Sequence, residues 1–152
     1  GGSAAFLKQV RAVLSSGDKL LIGADLVKPA DQLIPAYDDP LGVTAAFNRN
    51  LLSRMNRELG ANFDLHGFRH EVRWAESEQR IEMHLRSEYR HTVQIPAAQI
   101  EVQFRSGETI WTESSHKFTT EGLKEMAAAA GFQPEACWVN SDWPYAECLW
   151  FV

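Results

Sequence analysis

The chain has 152 residues, of which 45% are hydrophobic, and a formal net charge of −5. This size and composition fit one globular domain with a sizeable core and exclude a disordered or collagen-like chain. The weakly acidic balance disfavours binding to nucleic acid or to an anionic membrane surface. No apolar run approaches the roughly 20 residues that cross a bilayer, and no signal peptide is visible. The start, Gly1-Gly2-Ser3, lacks an initiator Met, as expected for a tag remnant or for a piece cut from a longer chain.

The first elements predict an α/β unit. Apolar residues recur at helical spacing over 4–14, and a turn-forming segment, 15–18, follows them. The continuous apolar run 19–26 ends in an aspartate and a leucine. Such a run is typical of a central parallel strand that is covered on both faces.

Two further helices are predicted next. Pro29 breaks the pattern, and residues 30–37 predict a short helix. Thr44 is expected to cap a longer helix that ends at Gly60. One broad apolar face of that helix comprises Phe47, Leu51, Leu52, Met55 and Leu59.

From Arg69 the apolar period changes to two, which predicts three or four antiparallel strands, each with one solvated face. The alternating positions are Val72 and Trp74, then Ile81, Met83 and Leu85, then Ile100, Val102 and Phe104. A further strand, 109–115, leads to a helix that Thr119 or Thr120 caps and Gly131 ends. Residues 132–139 and 145–152 then predict a terminal hairpin.

The segment 112–118 places a carboxylate and hydroxyls where an apolar strand runs into a helix. Side chains alternate along a strand, so Glu113 and Ser115 should point the same way as a paired polar clamp. A clamp of this kind suits a small ligand with ring N–H groups. The alternative interpretation is a solvated strand edge or a cap at the entry of the next helix.

Cys137 and Cys148 show no metal-binding pattern, but they are equidistant from a turn near Asp142-Trp143 and could face each other across the hairpin. A cytoplasmic protein would keep them reduced. The alternative is two buried small hydrophobic residues.

The histidines and aromatic residues offer weaker candidates. His66 and His70 have the i, i+4 spacing of a zinc site, but no third ligand is evident. His84 and His116 are expected to lie at the surface. The aromatic residues near the C-terminus are not interleaved with Lys or Arg, so a packed hairpin core is favoured over a nucleic-acid platform. They are Trp138, Trp143, Tyr145, Trp150 and Phe151.

Five runs of the chain carry a resemblance to a known family: Leu21 to Lys28, Ala36 to Asp39 with Gly42 to Asn48, Leu51-Leu52 with Asn56 to Gly60, Arg80 to Leu85, and Thr112 to Phe118. Through these runs, nearly the whole chain resembles the C-terminal half of the histidine-specific Nα-methyltransferase family, which makes hercynine for ergothioneine biosynthesis. Both ends of the chain also resemble a class I, S-adenosylmethionine-dependent methyltransferase. The resemblance implies a partial Rossmann-like sheet from 1–28 and 119–152. It also implies a β-rich substrate-binding insertion over 29–118, so the fold class is α/β with α+β character in the insertion.

The resemblance also implies site residues. Tyr37 matches the tyrosine that holds the substrate carboxylate, and Glu113 and Ser115 match the pair that grips the imidazole. Phe47 matches an aromatic residue of the pocket wall. Considered by itself, Tyr37 would be a half-buried residue at a helix end with its hydroxyl in water.

The family's S-adenosylmethionine-binding residues would lie upstream of residue 1. We therefore expect S-adenosylmethionine in the full-length, cytoplasmic enzyme, with no cofactor or activity in this fragment alone. The expected partner is a small-molecule substrate, histidine or a related amino acid, and a homodimer could form through an exposed sheet edge. Two other functions stay open: a non-catalytic module that binds a small amino acid or amine, and a structural α+β interaction domain.

Overall fold

The computed structural model describes residues 2–152, which form two compact units. One comprises the residues up to Lys28 together with His116–Val152, and the other comprises Pro29–Ser115. The helices in this part of the chain are α1 (Gly2–Val13), α2 (Ala30–Leu33), α3 (Val43–Leu59) and α4 (Thr120–Ala130). The strands are β1 (Lys19–Asp25), β2 (Phe68–Ala75), β3 (Arg80–Ser87), β4 (His91–Ile95), β5 (Ile100–Phe104), β6 (Thr109–His116), β7 (Gln133–Val139) and β8 (Tyr145–Phe151). The predicted mixture of helices and strands is confirmed.

In the first unit, α1 and α4 pack against a three-stranded sheet. The strand order is β1-β8-β7, and each strand is antiparallel to its neighbour. Ala24 and Trp150 of the sheet share one core with Leu7 of α1 and Leu123 of α4. The helix, strand, helix and hairpin predicted from the two ends of the sequence are therefore all present.

β1 differs from its prediction in pairing and in burial. It lies at an edge of its sheet, antiparallel to β8, and is not a central parallel strand. Ala24 is buried in the core, whereas Leu21 is 61% exposed. Both helices contribute to the core on the Ala24 face, so the apolar run of β1 is covered on one side within this unit.

The aromatic residues of the hairpin are less buried than predicted. Trp150 is 1% exposed, but Trp138, Trp143 and Tyr145 are each more than 40% exposed. The prediction of a packed aromatic core is therefore right for Trp150 and wrong for these three, and Phe151 is half-buried. Trp138 lies opposite the exposed Glu147 across the hairpin, on the face that does not join the core.

Cys137 and Cys148 face each other across β7 and β8, as their spacing predicts, and the structure joins them in a disulfide. The alternative of two buried small residues is right for Cys148 and wrong for Cys137, which is exposed. The structure thus holds the oxidised form, not the reduced pair expected in the cytoplasm.

The second unit contains two sheets, β2-β3-β6 and β4-β5, with α3. Leu52 of α3 is fully buried in a core that also contains Phe68 of β2, Val93 of β4 and Phe104 of β5. Strands β2 to β5 give four strands over 68–104, within the predicted three or four. The hairpin partner β4 is the strand that the apolar pattern did not specify.

The short helix predicted over 30–37 is split. α2 ends at Leu33, and a 3₁₀ turn, Ile34–Ala36, follows it. Pro35 has no N–H and its ring crowds the carbonyl four residues earlier, so the α-helix cannot continue through it. Tyr37 consequently stands directly after a tight turn.

Asp39, not Thr44, caps the long helix α3. The Asp39 carboxylate accepts backbone N–H bonds from Val43 at 3.0 Å and Thr44 at 2.8 Å. These bonds lower the pKa of the Asp39 carboxyl to about 2. Thr44 lies inside the helix, so its predicted capping role is wrong, whereas the predicted end at Gly60 is confirmed by its left-handed backbone (φ 65°).

Candidate ligand-binding site

Two of the predicted site residues are joined directly. The hydroxyl oxygens of Tyr37 and Ser115 lie 2.8 Å apart, and either can donate the hydrogen bond. Tyr37 is half-buried and its backbone N–H donates to the carbonyl of Ile34 at 2.9 Å. The Tyr37 hydroxyl therefore meets a protein partner instead of extending into water.

The other two predicted residues line one cavity of about 220 Å³. Phe47 lies on α3 and Glu113 on β6, and both side chains are exposed. The full lining comprises Phe47, Asn48, Asn50, Leu51, Arg54, Thr112 and Glu113. The cavity is smaller than the roughly 300–1,000 Å³ typical of drug-sized ligands, so its volume suits a small molecule such as an amino acid.

The cavity lining contains two charged residues, Glu113 and Arg54. Within residues 2–152 the Glu113 carboxylate has no hydrogen bond or ion pair, since the bond from the Trp111 indole goes to the Glu113 main-chain oxygen. Arg54, on α3, forms an ion pair with Glu58 at 3.3 Å. A ligand N–H entering the cavity would therefore find an available carboxylate.

The structure thus groups the four residues as two pairs, Tyr37 with Ser115 and Phe47 with Glu113. One member of each pair lies on β6. Glu113 and Ser115 occupy alternate positions of β6, while Tyr37 and Ser115 are not part of the cavity lining. β6 is an edge strand and Glu113 is exposed, so the strand-edge interpretation describes where Glu113 lies. The helix-cap interpretation is wrong, because Thr119 caps α4 through a 3.0 Å bond from the N–H of Gly122.

Two buried polar residues are linked to Tyr37: Asn48, which had no predicted role, and His70, which was predicted only as a weak zinc candidate. The Asn48 amide nitrogen is 3.0 Å from His70 Nδ1, and His70 Nε2 is 2.8 Å from the Tyr37 carbonyl oxygen. Asn48 and His70 are both buried. Their sequence signal is a polar residue at a core position: Asn48 lies one helical turn before the buried Leu52, and His70 alternates with the buried Phe68.

The predicted apolar face of α3 is only partly right, because the buried residues of this helix are Asn48 and Leu52. Leu52 is fully buried, but Phe47 and Leu51 are exposed where they line the cavity, and Leu59 is 38% exposed. The buried face passes through Asn48 instead.

The remaining histidines have different settings. His84 is buried, contrary to its predicted surface position, because its ring stacks on Trp111 of the neighbouring strand and its Nε2 lies 3.1 Å from Glu82. His116 is exposed, as predicted. His66 is exposed, whereas His70 is held by Asn48 and Tyr37. Within residues 2–152 no three His, Cys, Asp or Glu side chains are grouped to hold a metal ion, and no helix has the length and hydropathy to cross a membrane.

Comparison with known proteins decides the family. The sequence profile of a family described as histidine-specific, SAM-dependent methyltransferase matches residues 2–152. The chain belongs to this family. It is 46% identical over 140 residues to histidine N-alpha-methyltransferase of Mycobacterium tuberculosis (strain CDC 1551 / Oshkosh), and 46% identical over 137 residues to the protein of the same name from Mycolicibacterium smegmatis (strain ATCC 700084 / mc(2)155).

These alignments cover 92% and 90% of this chain but 44% and 43% of the two relatives. The chain therefore spans less than half the length of these two relatives. A more distant relative is ergothioneine biosynthesis protein 1 of Schizosaccharomyces pombe (strain 972 / ATCC 24843). It is 26% identical over 132 residues, which cover 86% of this chain and 17% of the relative.

Proposed function

We propose that this chain is the substrate-recognition portion of an S-adenosylmethionine-dependent methyltransferase that acts on the α-amino group of histidine and forms hercynine. The observation that carries the proposal is the hydrogen bond between Tyr37 and Ser115, which joins two segments of the chain next to Glu113. Membership in the histidine-specific family and the two mycobacterial relatives support the choice of histidine.

The chemistry of a neutral imidazole matches these side chains. The ring has one N–H donor and one acceptor nitrogen. The Glu113 carboxylate can accept from the donor, and the Ser115 hydroxyl can serve either nitrogen. Tyr37 would donate to the substrate carboxylate, and Phe47 would form an apolar wall. A site that pairs each polar group of its ligand discriminates strongly against analogues that lack one of them.

Methyl transfer to the amine requires a neutral nitrogen whose lone pair is aimed at the methyl carbon. S-Adenosylmethionine supplies the methyl group when it is bound. The contribution of this chain is to hold the substrate in one orientation, which lowers the barrier by removing rotational and translational freedom in advance. Tyr37, Glu113 and Ser115 would fix the two polar ends of histidine and leave its amine as the reacting group.

The acidic residue at the end of β1 gives no support for S-adenosylmethionine binding by this chain. The carboxylate at the end of β1 is Asp25, and its two oxygens are held by Lys28 at 2.6 Å and Lys117 at 2.8 Å. Burial opposes the charge on Asp25, but the bonds from these two buried lysines outweigh it and hold the pKa of the carboxyl below its ordinary value. Asp25 is therefore occupied by lysines and is not available for ribose hydroxyls, so we assign cofactor binding to the rest of the protein.

The two units suggest separate roles for the two parts of the chain. We propose that 1–28 with 119–152 is the C-terminal part of a Rossmann-like methyltransferase core, and that 29–118 is the substrate-binding insertion. Each unit has its own hydrophobic core, and the site residues all lie within Pro29–Ser115. The outer edge of β1 would pair with further strands of the whole protein or with a second copy in a homodimer. The proposed location is the cytoplasm.

Calorimetry on the full-length protein tests the function. Replacement Glu113→Ala should weaken histidine binding by about 10- to 100-fold, because a hydrogen bond to a charged group is lost, and Glu113→Gln should weaken it less. Glu147→Ala, at another exposed strand glutamate, is the matched control and should leave the affinity unchanged.

Thermal unfolding should show similar Tm values for wild type and Glu113→Ala, because Glu113 is exposed. Equal histidine affinity in both proteins would contradict the proposed role of Glu113. Histidine binding without methyl transfer after addition of S-adenosylmethionine would favour a non-catalytic binding module instead.

A further inference from the structure

We propose that His70 and Asn48 are positioning residues that hold Tyr37 in place against Ser115. The inference rests on the proposed function, because Tyr37 is there the contact for the substrate carboxylate. His70 contacts the main chain of Tyr37, whose hydroxyl is hydrogen-bonded to Ser115. Asn48, which also lines the cavity, acts on Tyr37 through His70.

The contacts define the protonation state of the His70 ring. The Tyr37 carbonyl can only accept a hydrogen bond, so His70 Nε2 carries the proton that it donates over 2.8 Å. The Asn48 amide nitrogen can only donate, so His70 Nδ1 accepts over 3.0 Å. The ring is therefore the neutral Nε2–H form, and both of its nitrogens are engaged.

Asn48 ties this ring to the sheet. Its amide nitrogen also donates to the main-chain oxygen of His84 at 3.2 Å, and His84 on β3 pairs with Glu71 on β2, next to His70. The amide thus contacts two neighbouring strands at once. Because Asn48 and His70 are buried, loss of either would leave the other with an unsatisfied polar atom.

The main chain of Tyr37 is consequently fixed on both sides. Its N–H donates to Ile34 within the 3₁₀ turn, and its carbonyl accepts from His70. Ser115 lies on β6, which belongs to the same sheet as β2 and β3. One sheet therefore sets the position of the Tyr37 backbone, through His70, and of the Ser115 hydroxyl, so the 2.8 Å contact is formed before any ligand arrives.

Two replacements of His70 separate positioning from general stability. His70→Gln keeps an N–H donor for the Tyr37 carbonyl, whereas His70→Leu removes it. In the full-length protein we expect His70→Leu to weaken histidine binding about tenfold and His70→Gln to stay within about threefold of wild type. Equal losses in the two variants, at matched Tm, would overturn the proposal.

A double-mutant cycle shows whether His70 acts through Tyr37. Tyr37→Phe should weaken histidine binding by itself, and adding His70→Leu should then change the affinity by less than about twofold. Two fully additive effects would contradict the positioning role. If His70→Leu does not fold, the histidine affinity of His70→Gln and ¹⁵N NMR of the His70 ring still test the proposal.

¹⁵N NMR of the His70 ring gives a test that does not depend on histidine binding. Wild type should show a protonated Nε2 and an unprotonated Nδ1, and Asn48→Asp should add a proton to Nδ1 because a carboxylate needs a donor there. A wild-type ring protonated at Nδ1 alone would overturn the inference. Failure of wild type to bind histidine would instead overturn the proposed function, while the NMR result still decides how Tyr37 is held.

Discussion

The hydroxyl of Tyr37 lies 2.8 Å from the hydroxyl of Ser115, across a separation of 78 residues in the sequence. A contact between residues so far apart is determined by the fold, not by local backbone preference. It connects the turn after α2 with the last part of β6, and Glu113 lies two residues before Ser115 on that strand. The pair is therefore the structural centre of the proposed substrate site.

Breaking this contact should affect binding more than stability. We expect Ser115→Ala in the full-length protein to weaken histidine binding about five- to tenfold, because both the imidazole partner and the anchor of the Tyr37 hydroxyl are lost. Calorimetry measures this change. Tyr89→Phe is the control, since it also removes a tyrosine hydrogen bond, to Asp64, in the same unit. Equal losses in the two variants would argue against a specific role for Ser115.

The Asp39 cap should make the stability of α3 depend on pH. Its folded-state pKa of about 2 lies below the ordinary 3.8, so its stabilisation is complete above about pH 4 and is lost as the pH falls through about 2. Asp39→Ala should lower Tm by about 2–4 °C at neutral pH. Circular dichroism melts of wild type and variant should converge between pH 4 and 2, and a gap that stays constant would contradict this account.

The disulfide between Cys137 and Cys148 should stabilise the terminal hairpin. Closing a loop between residues 11 apart stabilises a fold by about 3 kcal/mol in the chain-entropy estimate. We therefore expect a reducing agent to lower the unfolding temperature of the wild type. Cys137→Ser, which cannot form the bond, is the control and should melt at the same temperature with and without the reductant. A wild type that is insensitive to reduction would show that the bond contributes no stability.

Local patterns in the sequence were sufficient for most elements. The apolar period, Thr119 and the terminating glycines Gly60 and Gly131 identify both the long helix α3 and α4, because each signal acts within a few residues. The position of Thr44 misled the prediction of the α3 cap, since Asp39 reaches forward over a turn to the N–H groups of Val43 and of Thr44 itself. An alternative cap of this kind depends on the path of the loop, which no periodicity records.

The residues of the candidate site were also predicted only in part from the sequence. The resemblance to a known family pointed to Tyr37, Phe47, Glu113 and Ser115, and the spacing of Glu113 and Ser115 alone placed them on one face of a strand. The structure brings Tyr37 to Ser115 and Phe47 to Glu113. It also shows that His70 contacts the Tyr37 carbonyl and that Asn48 contacts His70. These roles were not predicted, because a polar residue in an apolar pattern has no visible partner until the chain folds.

The sequence by itself determined the type and order of most helices and strands, the terminal hairpin, and the polar character of β6. Only the tertiary structure decided that β1 is an edge strand covered on one face, and that Tyr37 is held from behind by His70. The reason is physical: helix and strand signals depend on neighbours within a few residues. Burial and long-range hydrogen bonds depend on which distant segments pack together.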